Sequence, residues 1–113
     1  MNKIFDMAFS RVYPLYVTKV EKKGRSRAEL DQVICWLTGF SASELAKHAE
    51  GATTLRAFFE GAHLNANVAQ ITGVICGARI EEIEDPLMQK IRYMDKLVDE
   101  LAKGRPMQKI LRS

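Results

Sequence analysis

The chain has 113 residues, 47% of them hydrophobic and 27% charged, with a formal net charge of +3. This is globular composition at a length that allows one core, which excludes a disordered chain and a multi-domain assembly. No apolar run approaches the roughly 18 residues of a membrane-spanning helix, and Asp6 interrupts the N-terminus before a signal-peptide core develops, so a cytoplasmic protein with no membrane partner is expected.

The first predicted helix starts near Pro14, whose fixed φ suits a first helical position, and runs through Leu15, Tyr16, Val17 and Val20 to Lys23 before Gly24. Residues 5–13 before it fit either a helical turn or an extended segment. Ser26-Arg27-Ala28-Glu29 is a capping box, in which the serine hydroxyl accepts from the glutamate amide and the carboxylate reaches back. It opens a second helix with Leu30, Val33, Ile34 and Leu37 on one face, closed by Gly39. Ser41-Ala42-Ser43-Glu44 repeats the box and launches a short helix to Gly51. Thr53 or Thr54 then opens another, carrying Leu55, Phe58 and Phe59 to Gly61.

Asn65 or Asn67 can cap a fifth helix, in which Val68, Ile71, Val74 or Ile75, and Ala78 recur at helical spacing. Gly73 and Gly77 weaken that reading, because each glycine costs up to about 1 kcal/mol in a helix interior. Residues 78–84 are left open between helix and extended chain. Asp85-Pro86 is a strong restart, and the helix from 86 to 103 is the longest, with Gly104 just past its end. Leu87, Ile91, Met94, Val98 and Leu101 along it form a narrow stripe, either an intramolecular wall or the seam of a homodimer. Pro106 opens a last turn bearing Met107, Ile110 and Leu111. The expected fold is all-α, a single compact domain over residues 1–113 with five to seven helices.

Charge is distributed unevenly along the chain. Residues 1–25 carry six Lys/Arg against two acids, residues 86–113 seven against three, and residues 26–85 four against nine. If the ends meet, Lys19, Lys22, Lys23, Arg25, Lys103, Arg105, Lys109 and Arg112 form a basic surface for phosphates; solvated helix faces are the plainer reading. Nucleic-acid affinity there would be of the sequence-independent, salt-sensitive kind.

A helix-turn-helix over residues 43–56 is disfavoured. Ala46 lies five residues before Gly51 where the motif wants four, and the second helix places Phe58 and Phe59 where polar base-reading groups belong.

Glu81, Glu82, Glu84 and Asp85 precede the long helix, where acids suit the dipole, and they lack the spacing of a calcium loop. His48 and His63 have no metal-ligand spacing, so neither a metal nor a cofactor is expected. Cys35 and Cys76 each follow Val-Ile and read as buried small hydrophobes rather than a disulfide. A pocket assembled from Tyr13, Tyr16, Trp36, His48 and His63 with the 81–85 acids is what an enzyme would require.

The runs Lys3-Ile4-Phe5, Val12-Tyr13-Pro14-Leu15-Tyr16-Val17, Glu21-Lys22-Lys23-Gly24-Arg25, Val33 to Gly39, Ile71 to Gly77 and Ile83 to Met88 together carry a resemblance. The chain resembles, over nearly its whole length, a family of small bacterial proteins catalogued as a domain of unknown function (DUF2200-like). The resemblance implies a bacterial, single-domain protein and brings no activity, cofactor or catalytic residue with it. The sequence therefore favours a small binding or protein-interaction domain, with an enzyme as the alternative.

Overall fold

Hydrogen-bonded side-chain caps open four of the helices, those starting at Arg27, Ala42, Leu55 and Pro86. The computed structural model, which describes residues 3–112, contains the helices α1 (Phe9–Glu21), α2 (Arg27–Thr38), α3 (Ala42–Glu50), α4 (Leu55–Glu60), α5 (Pro86–Ala102) and α6 (Met107–Ile110). A small antiparallel hairpin, β1 (Val74–Ile75) and β2 (Ala78–Arg79), lies between α4 and α5, and 3₁₀ turns cover Lys3–Asp6, Val68–Gln70 and Ile80–Glu82. The fold is mainly α. Both expected capping boxes form, Ser26 with Glu29 on α2 and Ser41 with Glu44 on α3. Thr54 caps α4 and Asp85 caps α5, each accepting a backbone N–H three residues on. Gly39 ends α2 at φ +76°, where a Cβ would lie 2.7 Å from the His63 carbonyl oxygen, so the turn admits only glycine.

Two helix assignments from sequence are corrected. The first helix begins at Phe9, not Pro14, which sits inside it. Phe9, Tyr13, Tyr16 and Val20 are all buried and lie along one face, and that burial outweighs the lost backbone donor of an internal proline. The start is fixed by a bridge between Ala8 and Thr54, with Phe9 N donating to Thr53 O at 2.8 Å and Leu55 N to Met7 O at 2.8 Å.

The expected fifth helix does not form. Only the Val68–Gln70 turn is helical, and the chain then enters the hairpin, pairing Val74 with Arg79 and Ile75 with Ala78. Gly73, Cys76 and Gly77 all have positive φ, which ends a right-handed helix; Cys76 and Gly77 make the tight two-residue turn that a twisted hairpin prefers. Residues 78–84, left open by the sequence, are a short strand followed by a 3₁₀ turn.

The cysteine reading also needs correction, since Cys35 is only half-buried and Cys76 is exposed at the hairpin tip; both are free thiols.

The core is organised around α2 and α5, which pack on each other and are both crossed by α1; α3 packs on α1 and α2. Phe9 stacks on Phe58 at 4.2 Å, and Phe58 meets Phe40 and Phe59 edge-on, which joins α1 to α4. Leu55, Phe58 and Phe59 are all buried, so α4 presents no base-reading face. Glu100, on α5, is buried and bridged by Arg105 at 3.0 Å and by both oxygens to Arg112 at 2.7 and 2.9 Å, which ties α6 and the chain end down.

The stripe offered as a homodimer seam is consumed within the chain. Ile91, Met94, Val98 and Leu101 are at most 1% exposed, and Leu87 packs against the same core. Met94→Lys should therefore unfold the protein rather than release a monomer. An unpaired ammonium buried there costs several kcal/mol against a total stability of about 5–15 kcal/mol. Loss of helical circular dichroism at 25 °C is the expected result.

Candidate functional site

Each of two tyrosines on α1 is bonded to an aspartate of a neighbouring helix and accompanied by an arginine. Tyr13 donates its hydroxyl to Asp31 of α2, while Arg27 Nε donates to the same hydroxyl at 2.9 Å and its guanidinium lies 5.3 Å from the ring centroid. Tyr16 donates to Asp95 of α5 at 2.5 Å, and Arg92 pairs with the other oxygen of that carboxylate at 2.7 Å. The exposed Cys76 thiol stands 4.0 Å from the same Asp95 oxygen.

Burial, reinforced by the bond to Asp31, pushes the Tyr13 phenol up to about 12. Burial and then the Asp95 charge raise Tyr16 well above its ordinary value, and burial alone raises Tyr93.

The first arrangement opens onto a cleft. A cavity of about 360 Å³ is lined by Tyr13, Pro14, Val17 and Thr18 of α1, Arg27 of α2, and Ala49 and Glu50 of α3. Its wall is a tyrosine face, a proline and two aliphatic side chains. Its two formal charges are Arg27 and Glu50, and among the described residues neither makes an ion pair.

Each charge also opposes its own helix. Arg27 is the first residue of α2, at the positive end of the helix dipole, and Glu50 is the last residue of α3, at the negative end. Such placements are unfavourable, though weakly so at an exposed terminus. Some helix ends follow the rule, with Glu29 and Glu44 in first turns and Lys47 and His48 in the last turn of α3, while Glu21 at the end of α1 and Arg56 and Glu60 at the two ends of α4 also oppose their helices.

Of the five side chains expected to share a pocket, Tyr13 alone lines this cleft. Tyr16 is buried against α5. Trp36 is half-buried against the core, its indole Nε1 buried without a hydrogen-bond partner. His48 Nδ1 lies 2.9 Å from the Thr53 hydroxyl and its ring contacts Phe40 and Phe58, so it is part of the packing. His63 is exposed, and its backbone N–H donates to Thr38 O at 2.7 Å. Of the 81–85 acids, Glu81 accepts from Gly73 N at 3.1 Å, Glu82 pairs with Arg79 at 3.9 Å, and Asp85 is the α5 cap.

The two basic ends do meet in space, since Arg25 donates to the Arg105 carbonyl at 2.9 Å. Acids stand among them. Lys19 and Lys103 share Asp99, Arg25 pairs with Glu29, and Arg105 and Arg112 share Glu100. Lys22, Lys23 and Lys109 make no ion pair among the described residues.

Sequence reasoning missed Arg27, Asp31 and Glu50 as site residues. A signal was present for the two at helix ends, because a cation just after a capping serine and an acid just before a closing glycine are both of the wrong sign for their helices.

The chain has three tyrosines, and all three have raised phenol pKa values in the fold. The folded protein should therefore show less phenolate absorbance at pH 10 than the denatured chain, which is about half ionised there. Because the native state keeps its phenolic protons where the unfolded state loses them, the tyrosine contribution to stability should be constant below the ordinary phenol range and be lost as pH rises above about 10. Tyr13→Phe should reduce that alkaline loss, as read from melting temperature against pH.

No curated protein matches the chain. A solved structure, the crystal structure of uncharacterized protein SP1917, is 45% identical and superposes with a TM-score of 0.92, over 99% of this chain and 93% of that one. The family model described as "Uncharacterized protein conserved in bacteria (DUF2200)" matches residues 3–112. The resemblance read from sequence, the near-complete family match and the shared fold agree, and the chain belongs to that bacterial family.

Proposed function

We propose that this chain is a small cytoplasmic binding domain whose ligand is a small organic anion held in the α1–α3 cleft by Arg27. The observation that carries the reading is the state of that guanidinium. Its Nε is bonded to the Tyr13 hydroxyl, and the charges of Asp31 and Glu21 act on it, yet it makes no ion pair among the described residues. An arginine fixed through its Nε, with its terminal nitrogens making no hydrogen bond among the described residues beside a partly apolar cleft, is preorganised for a planar anion. A volume of about 360 Å³ is within the range of small-molecule sites.

The enzyme alternative has less support. Tyr13, the titratable aromatic at the cleft, keeps its proton up to about pH 12, far from the range useful for general acid–base work. The basic ends are also a weaker candidate for anion recognition, because acids of α2 and α5 pair with five of their eight cations.

Titration with isocaproate, a branched aliphatic carboxylate, should shift the backbone amide NMR signals of Val17, Thr18, Arg27 and Ala49. Arg27→Gln should weaken the binding by at least about tenfold, as expected for loss of a charged hydrogen-bond donor. Shifts confined to Lys22, Lys23 and Lys109 would instead assign anion binding to the basic ends.

A further inference from the structure

The cleft carries a second charge that an anion alone leaves unused. We infer that its ligand is a zwitterion of the small amino-acid class, with the carboxylate on Arg27, the ammonium on Glu50 and an aliphatic side chain against Pro14, Val17 and Ala49. This rests on the anion-binding reading above and adds to it the identity of the other end of the ligand.

Three features of the structure support the assignment. Arg27 and Glu50 line the same cavity but make no ion pair with each other or with any other described residue, so both charges remain available across one space. Each also sits at the helix end that disfavours it. A carboxylate at Arg27 would be stabilised by both the guanidinium and the positive end of α2. An ammonium at Glu50 would likewise be stabilised by both the carboxylate and the negative end of α3. A zwitterion thus relieves two unfavourable placements at once, where a simple anion relieves one and leaves Glu50 facing the ligand with like charge.

The third feature is the wall between the charges. Pro14, Val17 and Ala49 offer apolar surface, and Thr18 adds one hydroxyl, a lining suited to a short aliphatic body rather than to a polyanion.

The deciding experiment compares three probes on the folded protein by amide NMR titration: L-leucine, isocaproate (leucine without its amine) and isoamylamine (leucine without its carboxylate). Leucine should bind at least about tenfold tighter than isocaproate, with isoamylamine weakest. Glu50→Gln should erase the advantage of leucine over isocaproate, whereas Arg27→Gln should weaken leucine and isocaproate together. Both substitutions are at exposed positions, and the amide spectrum reports whether each variant is folded.

If isocaproate binds the cleft as tightly as leucine, the zwitterion inference is overturned while the anion site stands. An advantage for leucine that survives Glu50→Gln in the folded variant overturns the role of Glu50. If neither leucine nor isocaproate perturbs the cleft amides, both this inference and the reading it rests on fail.

Discussion

The burial of two tyrosine rings on α1, with each hydroxyl fixed to a carboxylate on a different helix, governs how the rest of the domain is arranged. Tyr13 reaches Asp31 on α2 and Tyr16 reaches Asp95 on α5, so one helix is referenced to both main walls of the core. A buried phenol needs a partner for its hydroxyl, and a carboxylate is a strong one, worth about 1.5–3 kcal/mol net for a hydrogen bond to a charged group. Lys19 on the next turn pairs with Asp99, one turn beyond Asp95, which sets α1 and α5 side by side in register. The proline inside α1 is tolerated because these contacts and the Phe9–Phe58 stack define the helix path without the missing backbone donor.

The same arrangement gives the molecule two unlike polar clusters. Around Asp95, the tyrosine hydroxyl and Arg92 satisfy the carboxylate. Around Tyr13, the hydroxyl both donates to Asp31 and accepts from Arg27, which leaves the guanidinium ordered but short of an anion. Local consistency is high at the caps, with four side-chain caps and a last turn of α3 carrying complementary charge. Several helix-end charges oppose their dipoles, Glu60 on α4 among them, and Arg27 and Glu50 stand apart because they line one cleft.

The long helix illustrates how a narrow apolar stripe can be read in two ways. Spacings of three and four along α5 fit a seam between two chains as well as a wall within one. What decides between them is whether α1, α2 and the segments around the hairpin cover that stripe, and they do: α1, α2, α4, α6, β1 and the Ile80–Glu82 turn all pack on α5. The buried Glu100 then fastens the chain end over its last turns through Arg105 and Arg112.

Helix boundaries from α2 through α4, and both ends of α5, were legible in sequence because caps are local. A serine and a glutamate three apart, or an aspartate before a proline, satisfy orphan backbone donors within one turn and need nothing from the rest of the chain. The start of α1 and the hairpin were not legible in the same way. At α1 a distant bridge from Thr54 overruled the proline, and at residues 68–80 the apolar spacing suited a helix while the glycines and Cys76 took left-handed backbone. The sequence by itself thus determined the helical class, most of the caps and the family. Only the tertiary structure decided that Tyr13, Arg27 and Glu50 share a cleft while Tyr16, Trp36 and the histidines do not, because that grouping depends on long-range packing of α1 against α2 and α3, which no local spacing encodes.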